Sequence, residues 1–176
     1  MPTILSHPAV PLAIGYGLGS GAISGRLLLA GVAASIVPDL DVYISPYWSA
    51  IAHRGITHTP VAAVFGALCA ALIAPALRTT RLKAFLFVFA CLLSHPLLDM
   101  CTNGGSGIPL WWPVNDERYF FPWTPIEVSP LGIRRFFSER GLEVLASEMV
   151  WVWVPAVILY VTLRMVRRPG VRQDPF

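Results

Sequence analysis

The chain has 176 residues and a net charge of +3, with 55% hydrophobic residues and only 13% charged residues. Soluble domains carry about a quarter charged residues, so this composition excludes an ordinary water-soluble domain and a disordered chain. We therefore predict an all-α fold, a polytopic membrane helical bundle that forms one domain over residues 1–176.

Five apolar segments follow one another along the chain and predict about five transmembrane helices. The first two, residues 8–24 and 27–37, are glycine-rich or short and predict a tightly packed helical hairpin or a re-entrant pair. The other three, residues 60–77, 83–100 and 145–166, approach the length of about 20 residues that crosses the hydrocarbon core.

The segment 101–141 between the last two spans is rich in proline, glycine and aromatic residues. A loop of about forty residues is unusual in a compact protein, and loops of this length usually have a function. The topology also places all six tryptophans on one side, as in an interfacial aromatic belt. They are Trp48, Trp111, Trp112, Trp123, Trp151 and Trp153.

The basic residues are distributed unevenly across the membrane. Eight of them fall on the side of the 78–83 loop, which the positive-inside rule makes the cytoplasmic side. These eight are Arg26, Arg78, Arg81, Lys83, Arg164, Arg167, Arg168 and Arg172. Because no dense basic stripe occurs, membrane lipids and not nucleic acid are the expected partners, and the sequence does not indicate an oligomeric state.

Alternation of the spans gathers histidines and carboxylates at the opposite, outer face of the membrane. Ionisable groups at such a depth are costly and mark functional sites. Imidazole with carboxylate suits one or two divalent ions, most of all Zn²⁺, with Mn²⁺ or Fe²⁺ as alternatives. The candidate ligands are His7, Asp39, Asp41, His53, His58, His95, Asp99 and Glu148.

Two local spacings agree with ligand geometry. His95 and Asp99 are four residues apart in an apolar helix, so they project from one face. Asp39 and Asp41 are two residues apart, and we expect them to point the same way in an extended segment after Pro38 ends the helix.

The loop that precedes the third span carries further candidate site residues. His53 and His58 flank a glycine, which favours a tight loop. Arg54 lies between them and is either a bidentate clamp for a phosphate or carboxylate or a simple interfacial arginine. Asp41 or Glu148 is the candidate general base, since a carboxylate near the metal can accept a proton from water.

The order of these motifs resembles the YdjM-like family of LexA-regulated, membrane-bound, metal-dependent hydrolases. The resemblance runs from about residue 5 to residue 130 and implies a hydrolase of the bacterial inner membrane. Glu148 lies outside it. The motifs are His7, Pro38-Asp39-Leu40-Asp41, His53-Arg54-Gly55-Ile56-Thr57-His58 and His95-Pro96-Leu97-Leu98-Asp99, followed by Thr102, Gly105 and Pro113.

These expectations combine into a hypothesis about function. The protein would hydrolyse a lipid or lipid-linked phosphoester with metal-activated water, using Asp41, Glu148 and Arg54 as catalytic groups. Arg54 favours a phosphoester because it offers an anion partner. The alternatives are a membrane zinc amidase that acts on lipid amides, and a metal-ion transporter or sensor without hydrolytic activity. A transporter would place its ligands near the bilayer midplane.

Overall fold

The computed structural model describes residues 1–47, 53–130 and 133–167. Three residues used in the topology prediction, Trp48, Arg168 and Arg172, lie outside the described residues.

The described chain is helical, and no β-strand occurs in these three ranges, which confirms the all-α prediction. Two isolated β-bridges, Thr102 with Ile126 and Ile108 with Tyr119, close the long loop on itself. The α-helices are α1 (Ala9–Leu18), α2 (Gly25–Ile36), α3 (Asp41–Ile44), α4 (Pro60–Leu72), α5 (Arg81–Met100), α6 (Ile133–Phe136), α7 (Glu139–Glu148) and α8 (Val154–Val166). A 3₁₀ turn at Val37–Leu40 joins α2 to α3, another at Ile56–His58 precedes α4, and a π turn at Met149–Trp153 joins α7 to α8.

Within the described part of the chain, three continuous helical stretches are long and apolar enough to cross a membrane. They are Gly25–Ile44, Arg81–Met100 and Glu139–Val166. The other two apolar helices, α1 and α4, have only 10 and 13 residues. At 1.5 Å per residue, each is shorter than a hydrocarbon core of about 30 Å. Two of the five predicted spans are therefore short helices.

Several predicted boundaries were wrong for identifiable reasons. The first apolar segment, predicted over residues 8–24, is helical only over Ala9–Leu18, and Gly19 ends it with a positive φ of 74°, which favours glycine. Helix α4 ends at Leu72 instead of continuing to residue 77. Pro75 has no N–H to donate to the carbonyl of Ala71, which disfavours continuation of the helix through it. The last span begins at Glu139, six residues earlier than the predicted residue 145. Its first turns are polar, and hydropathy therefore misses them.

The segment around Pro38 also differs from the prediction of an extended chain. Pro38 lies in the first turn of a 3₁₀ helix, and the chain remains helical through Ile44. A proline at this position costs little because the N–H groups of a first turn have no helical partner. Consequently Asp39 and Asp41, two residues apart on a helical segment, project from different faces and not from the same one.

Small residues let the helices approach closely around α5. A Cβ added to Gly31 of α2 would lie 2.4 Å from Cε1 of Phe87 in α5. Helix α1 packs against α8 with its buried residues Ala9, Ala13 and Gly17, which repeat every four positions. This packing brings the start of α1, the turn between α2 and α3 and the end of α5 together at one end of the bundle.

Candidate metal centre

Four buried side chains meet at that end of the bundle. Asp39, His58, His95 and Asp99 each offer one ligand atom, and these four atoms all lie within 4.8 Å of one another. The Nε2 atoms of His58 and His95 are 3.0 Å apart. Oδ1 of Asp39 lies 3.4 Å from Nε2 of His95, and Oδ2 of Asp99 lies 3.4 Å from Nε2 of His58. The group can hold a metal ion.

The outer nitrogens of the two histidines are anchored, which directs their Nε2 atoms inward. Nδ1 of His95 lies 2.7 Å from the carbonyl oxygen of Ser35. Because a carbonyl only accepts, this contact assigns the proton to Nδ1 and leaves a lone pair on Nε2. Nδ1 of His58 similarly faces Oδ2 of Asp41 at 3.2 Å. Metal-binding histidines usually make such an outer contact to a carbonyl or carboxylate.

The electrostatics of His58 follow from the same contacts. Burial lowers its pKa, but the adjacent carboxylates of Asp39 and Asp41 outweigh burial and raise the pKa above its ordinary value. In the metal-free protein these carboxylates therefore favour the protonated form of the His58 imidazole.

The cluster contains polar atoms that the described protein does not satisfy. Both carboxylate oxygens of Asp39, both of Asp99 and both ring nitrogens of His7 are buried without a hydrogen-bond partner in the described residues. Each such atom costs about 1–3 kcal/mol when it stays unpaired. A divalent ion would satisfy several of them at once, so the donor set fits a metal.

His7 lies beside the four-residue group and is a fifth potential donor. Its ring stacks on that of His95, with centroids 3.8 Å apart and an interplanar angle of 16°. Its Nε2 lies 3.4 Å from Oδ2 of Asp39 and 3.9 Å from Oδ1 of Asp99. Burial and the neighbouring His95 hold the pKa of His7 well below its usual range, which keeps its ring neutral.

Asp41 and His53 lie behind His58, on the side away from Asp39. Asp41 accepts from the Thr57 hydroxyl at 2.6 Å and from the Arg54 backbone N–H at 3.2 Å. Its Oδ1 lies 2.5 Å from Nδ1 of His53, whose side chain is 26% exposed. The structure therefore places these two predicted ligands next to the cluster, where they orient His58.

Arg54 occupies an unexpected position for a substrate clamp. It is only 1% exposed, and its Nη1 and Nη2 donate to the Gly104 carbonyl at 3.1 Å and to the Thr102 hydroxyl at 3.2 Å. Its Nε lies 3.3 Å from Oδ2 of Asp99. Gly105 has φ +100°, and a Cβ there would come within 2.3 Å of Nη1. Arg54 thus neutralises Asp99 and fastens the long loop.

Glu148 lies apart from the four-residue group. Its carboxylate accepts from the Thr3 hydroxyl at 2.6 Å, from the Ser6 hydroxyl at 2.7 Å and from the Thr3 backbone N–H. These bonds fix the segment that precedes His7. The sequence predicted Glu148 as a ligand and base, and in the structure its carboxylate binds the N-terminal segment.

Comparison with known proteins places the chain in a family. The family model described as "YdjM inner membrane protein" matches residues 1–171. The chain belongs to the YdjM family. It is also 43% identical to the inner membrane protein YbcI of Escherichia coli (strain K12) over 164 aligned residues. The alignment covers 90% of this chain and 95% of that protein. No solved structure matches the chain. With its apolar helices, this similarity supports a location in the inner membrane.

Four residues around the centre of this YdjM family member were missed by sequence reasoning. Ser35 contributes only a backbone carbonyl, which no residue type could reveal. Thr57, Thr3 and Ser6 contribute hydroxyls to buried carboxylates. Thr3 and Ser6 could have been predicted from the sequence. A glutamate beside an apolar span needs hydrogen-bond donors, and both hydroxyls lie in the segment before His7.

Proposed function

We propose that the protein is a metal-dependent hydrolase that acts on a lipid or lipid-linked substrate at the face of the inner membrane. The observation that carries this proposal is the buried cluster of Asp39, His58, His95 and Asp99, whose carboxylate oxygens have no hydrogen-bond partner among the described residues. A site of this kind, with several donors at membrane depth, is expensive to maintain unless it has a function.

These four side chains would hold the ion, most of all Zn²⁺, with Mn²⁺ or Fe²⁺ as alternatives. His7 would supply a fifth donor or help to hold a second ion. When bound, such an ion lowers the pKa of water and polarises a phosphoryl or carbonyl oxygen.

The chain's own residues would position the reacting groups and move the proton. Asp41 orients His58 through Nδ1 and also holds Nδ1 of His53. The Nε2 atom of the partly exposed His53 then points away from Asp41 and is the atom that accepts a proton. Asp41 and His53 together would thus act as the general base, the role that the sequence predicted for Asp41 or Glu148, whereas Glu148 would act by holding the N-terminal segment.

A phosphoester remains the first substrate class to test. Its original support was an anion contact to Arg54, but the nitrogens of that side chain face Asp99, Thr102 and Gly104. This engagement favours a second candidate, a lipid amide, whose uncharged bond needs no guanidinium partner.

We further propose that the centre faces away from the cytoplasm, on the basis of the basic residues in the 78–83 loop and beyond α8. A transport function is disfavoured because the cluster lies at one end of the helices, whereas transporters bind their cargo near the midplane.

The test is an incubation of metal-loaded protein in liposomes with phospholipids, isoprenoid phosphates and lipid amides. We expect wild type and Asp116→Asn, a control at an exposed carboxylate, to release product, and Asp99→Asn to be inactive. Cleavage of amides alone would eliminate the phosphoester. If fully metallated protein cleaved no class, the hydrolase proposal would be contradicted.

A further inference from the structure

A cavity of about 480 Å³ opens directly beside the cluster. One wall is the N-terminal segment 1–5, the second is the turn from Leu40 to Tyr43, and the third is the pair Phe136 and Phe137. Asp39 lies in its lining and joins it to the candidate metal centre. We call this cavity the entrance groove.

The entrance groove is apolar and open to the outside. Leu5, Tyr43 and Phe137, which line it, are 56%, 73% and 80% exposed. Besides the Tyr43 phenol, two described ionisable groups line it, the Asp39 carboxylate and the amino group of Met1, whose pKa is lowered to about 6, mainly by burial. Its volume lies within the range of about 300–1,000 Å³ that is usual for small-molecule sites, which combine apolar walls with few polar groups.

The position of the groove in the membrane identifies its surroundings. Leu40 and Tyr43 belong to the last turns of Gly25–Ile44, a helical stretch that can cross the membrane. The groove therefore begins where this helix reaches the interface. Exposed apolar walls are unfavourable in water, at about 25 cal/mol per Å², but carry no such cost against hydrocarbon.

We propose that the entrance groove holds a hydrocarbon chain of the substrate lipid and presents the bond beside its headgroup to the cluster. This inference rests on the proposed function and specifies its substrate as a molecule with a long apolar chain. A polar solute would find few partners there, because the Thr3 hydroxyl is already bonded to Glu148 and the Ser129 hydroxyl to the Pro130 carbonyl.

The groove and the centre share one support. The Glu148 carboxylate binds Thr3, which lines the groove, and Ser6, which precedes His7. A single buried carboxylate therefore holds both the groove wall and a potential metal ligand in register, which suits a site where chain binding must align a bond with the ion.

The experiment uses the full chain in liposomes that contain a phospholipid with a diazirine on one acyl chain. After illumination, mass spectrometry maps the cross-links. We expect at least about fivefold more cross-links at Leu5, Tyr43 and Phe137 than at Leu72 of α4, which is 76% exposed and outside the groove. Equal labelling per exposed apolar residue would overturn the inference.

Filling the groove should remove the preference. Leu40→Trp, and independently Tyr43→Trp, should lower groove cross-links about fivefold, whereas Leu72→Trp should leave them unchanged. Both positions are partly exposed, so folding is checked by an unchanged gel-filtration profile. Undiminished labelling in both folded groove variants would contradict the proposal.

The metal content of the same samples separates this inference from the proposed function. Preferential groove labelling in protein that binds no metal would support chain binding and contradict the hydrolase. Uniform labelling in metal-loaded protein would contradict the groove alone.

Discussion

At the scale of single residues, Arg54 is the counter-charge of the candidate metal centre. It is buried, faces Asp99 with Nε and donates to two groups of the long loop, Thr102 and Gly104. Removing one partner of a buried ion pair is costly because the other charge stays buried and uncompensated.

We therefore expect Arg54→Met to lower the free energy of unfolding of the metal-free protein by about 3 kcal/mol. Arg164→Met, at an exposed arginine of α8, is the control and should change it by less than about 0.5 kcal/mol. The measurement is an unfolding titration in mixed micelles. Equal stability of the two variants would show that Arg54 is not the counter-charge.

Glu148 is the second residue with a specific role, that of a clamp on the N-terminal segment. It accepts a hydrogen bond from the backbone N–H of Thr3. Glu148→Ala should speed hydrogen–deuterium exchange of the Thr3 amide at least about tenfold, since a lost bond of about 1.4 kcal/mol gives that factor. Glu143→Ala, on the same helix but with a 62% exposed side chain, should have no effect. An unchanged Thr3 amide in Glu148→Ala would refute the clamp.

At the scale of helices, the close approach of α2 and α5 depends on Gly31. A methyl group there would meet the Phe87 ring at 2.4 Å and the Cys91 sulfur at 2.9 Å. Gly31→Ala should cost about 1–3 kcal/mol and lower the thermal midpoint. Gly25→Ala is the matched control, because nothing lies within 4 Å of the added methyl. Combining Gly31→Ala with Phe87→Leu should recover part of the loss, and no recovery would argue against this contact.

The sequence predicted helix interiors better than helix ends. His95 and Asp99 share a face because the α-helix has a known period, and α5 bears this out. Pro38 could not be interpreted in the same way, since a proline either ends one helix or begins the next turn. Which of these occurs depends on packing. Pro75 ended α4 early, although the apolar run continues to residue 77.

At the scale of the whole molecule, the predicted alternation of spans placed the ligand-bearing segments at one end, and the structure brings four of the predicted ligands together. The alternation could not say which groups touch. Asp41 and Glu148 looked equivalent to Asp39 in sequence, yet hydrogen-bond donors in the fold occupy both carboxylates. Such pairing depends on tertiary contacts between residues as distant as Thr3 and Glu148.

The orientation of the molecule is testable with cysteines introduced at residues 80 and 115. We expect an impermeant maleimide to label Asn115→Cys but not Thr80→Cys in intact cells, since the 78–83 loop is basic. Both variants are built after replacement of Cys69, Cys91 and Cys101. Labelling at residue 80 alone would reverse the orientation.

We propose that Asp39, His58, His95 and Asp99 bind a divalent metal, and the proposed hydrolase activity depends on this binding. Elemental analysis of protein purified without chelator tests it directly, with His95→Ala as the ligand variant and Asp116→Asn as the control. We expect about one or more ions per chain in wild type and control, and at least a tenfold loss in His95→Ala while the protein stays folded. The same low metal content in wild type and His95→Ala would contradict the claim.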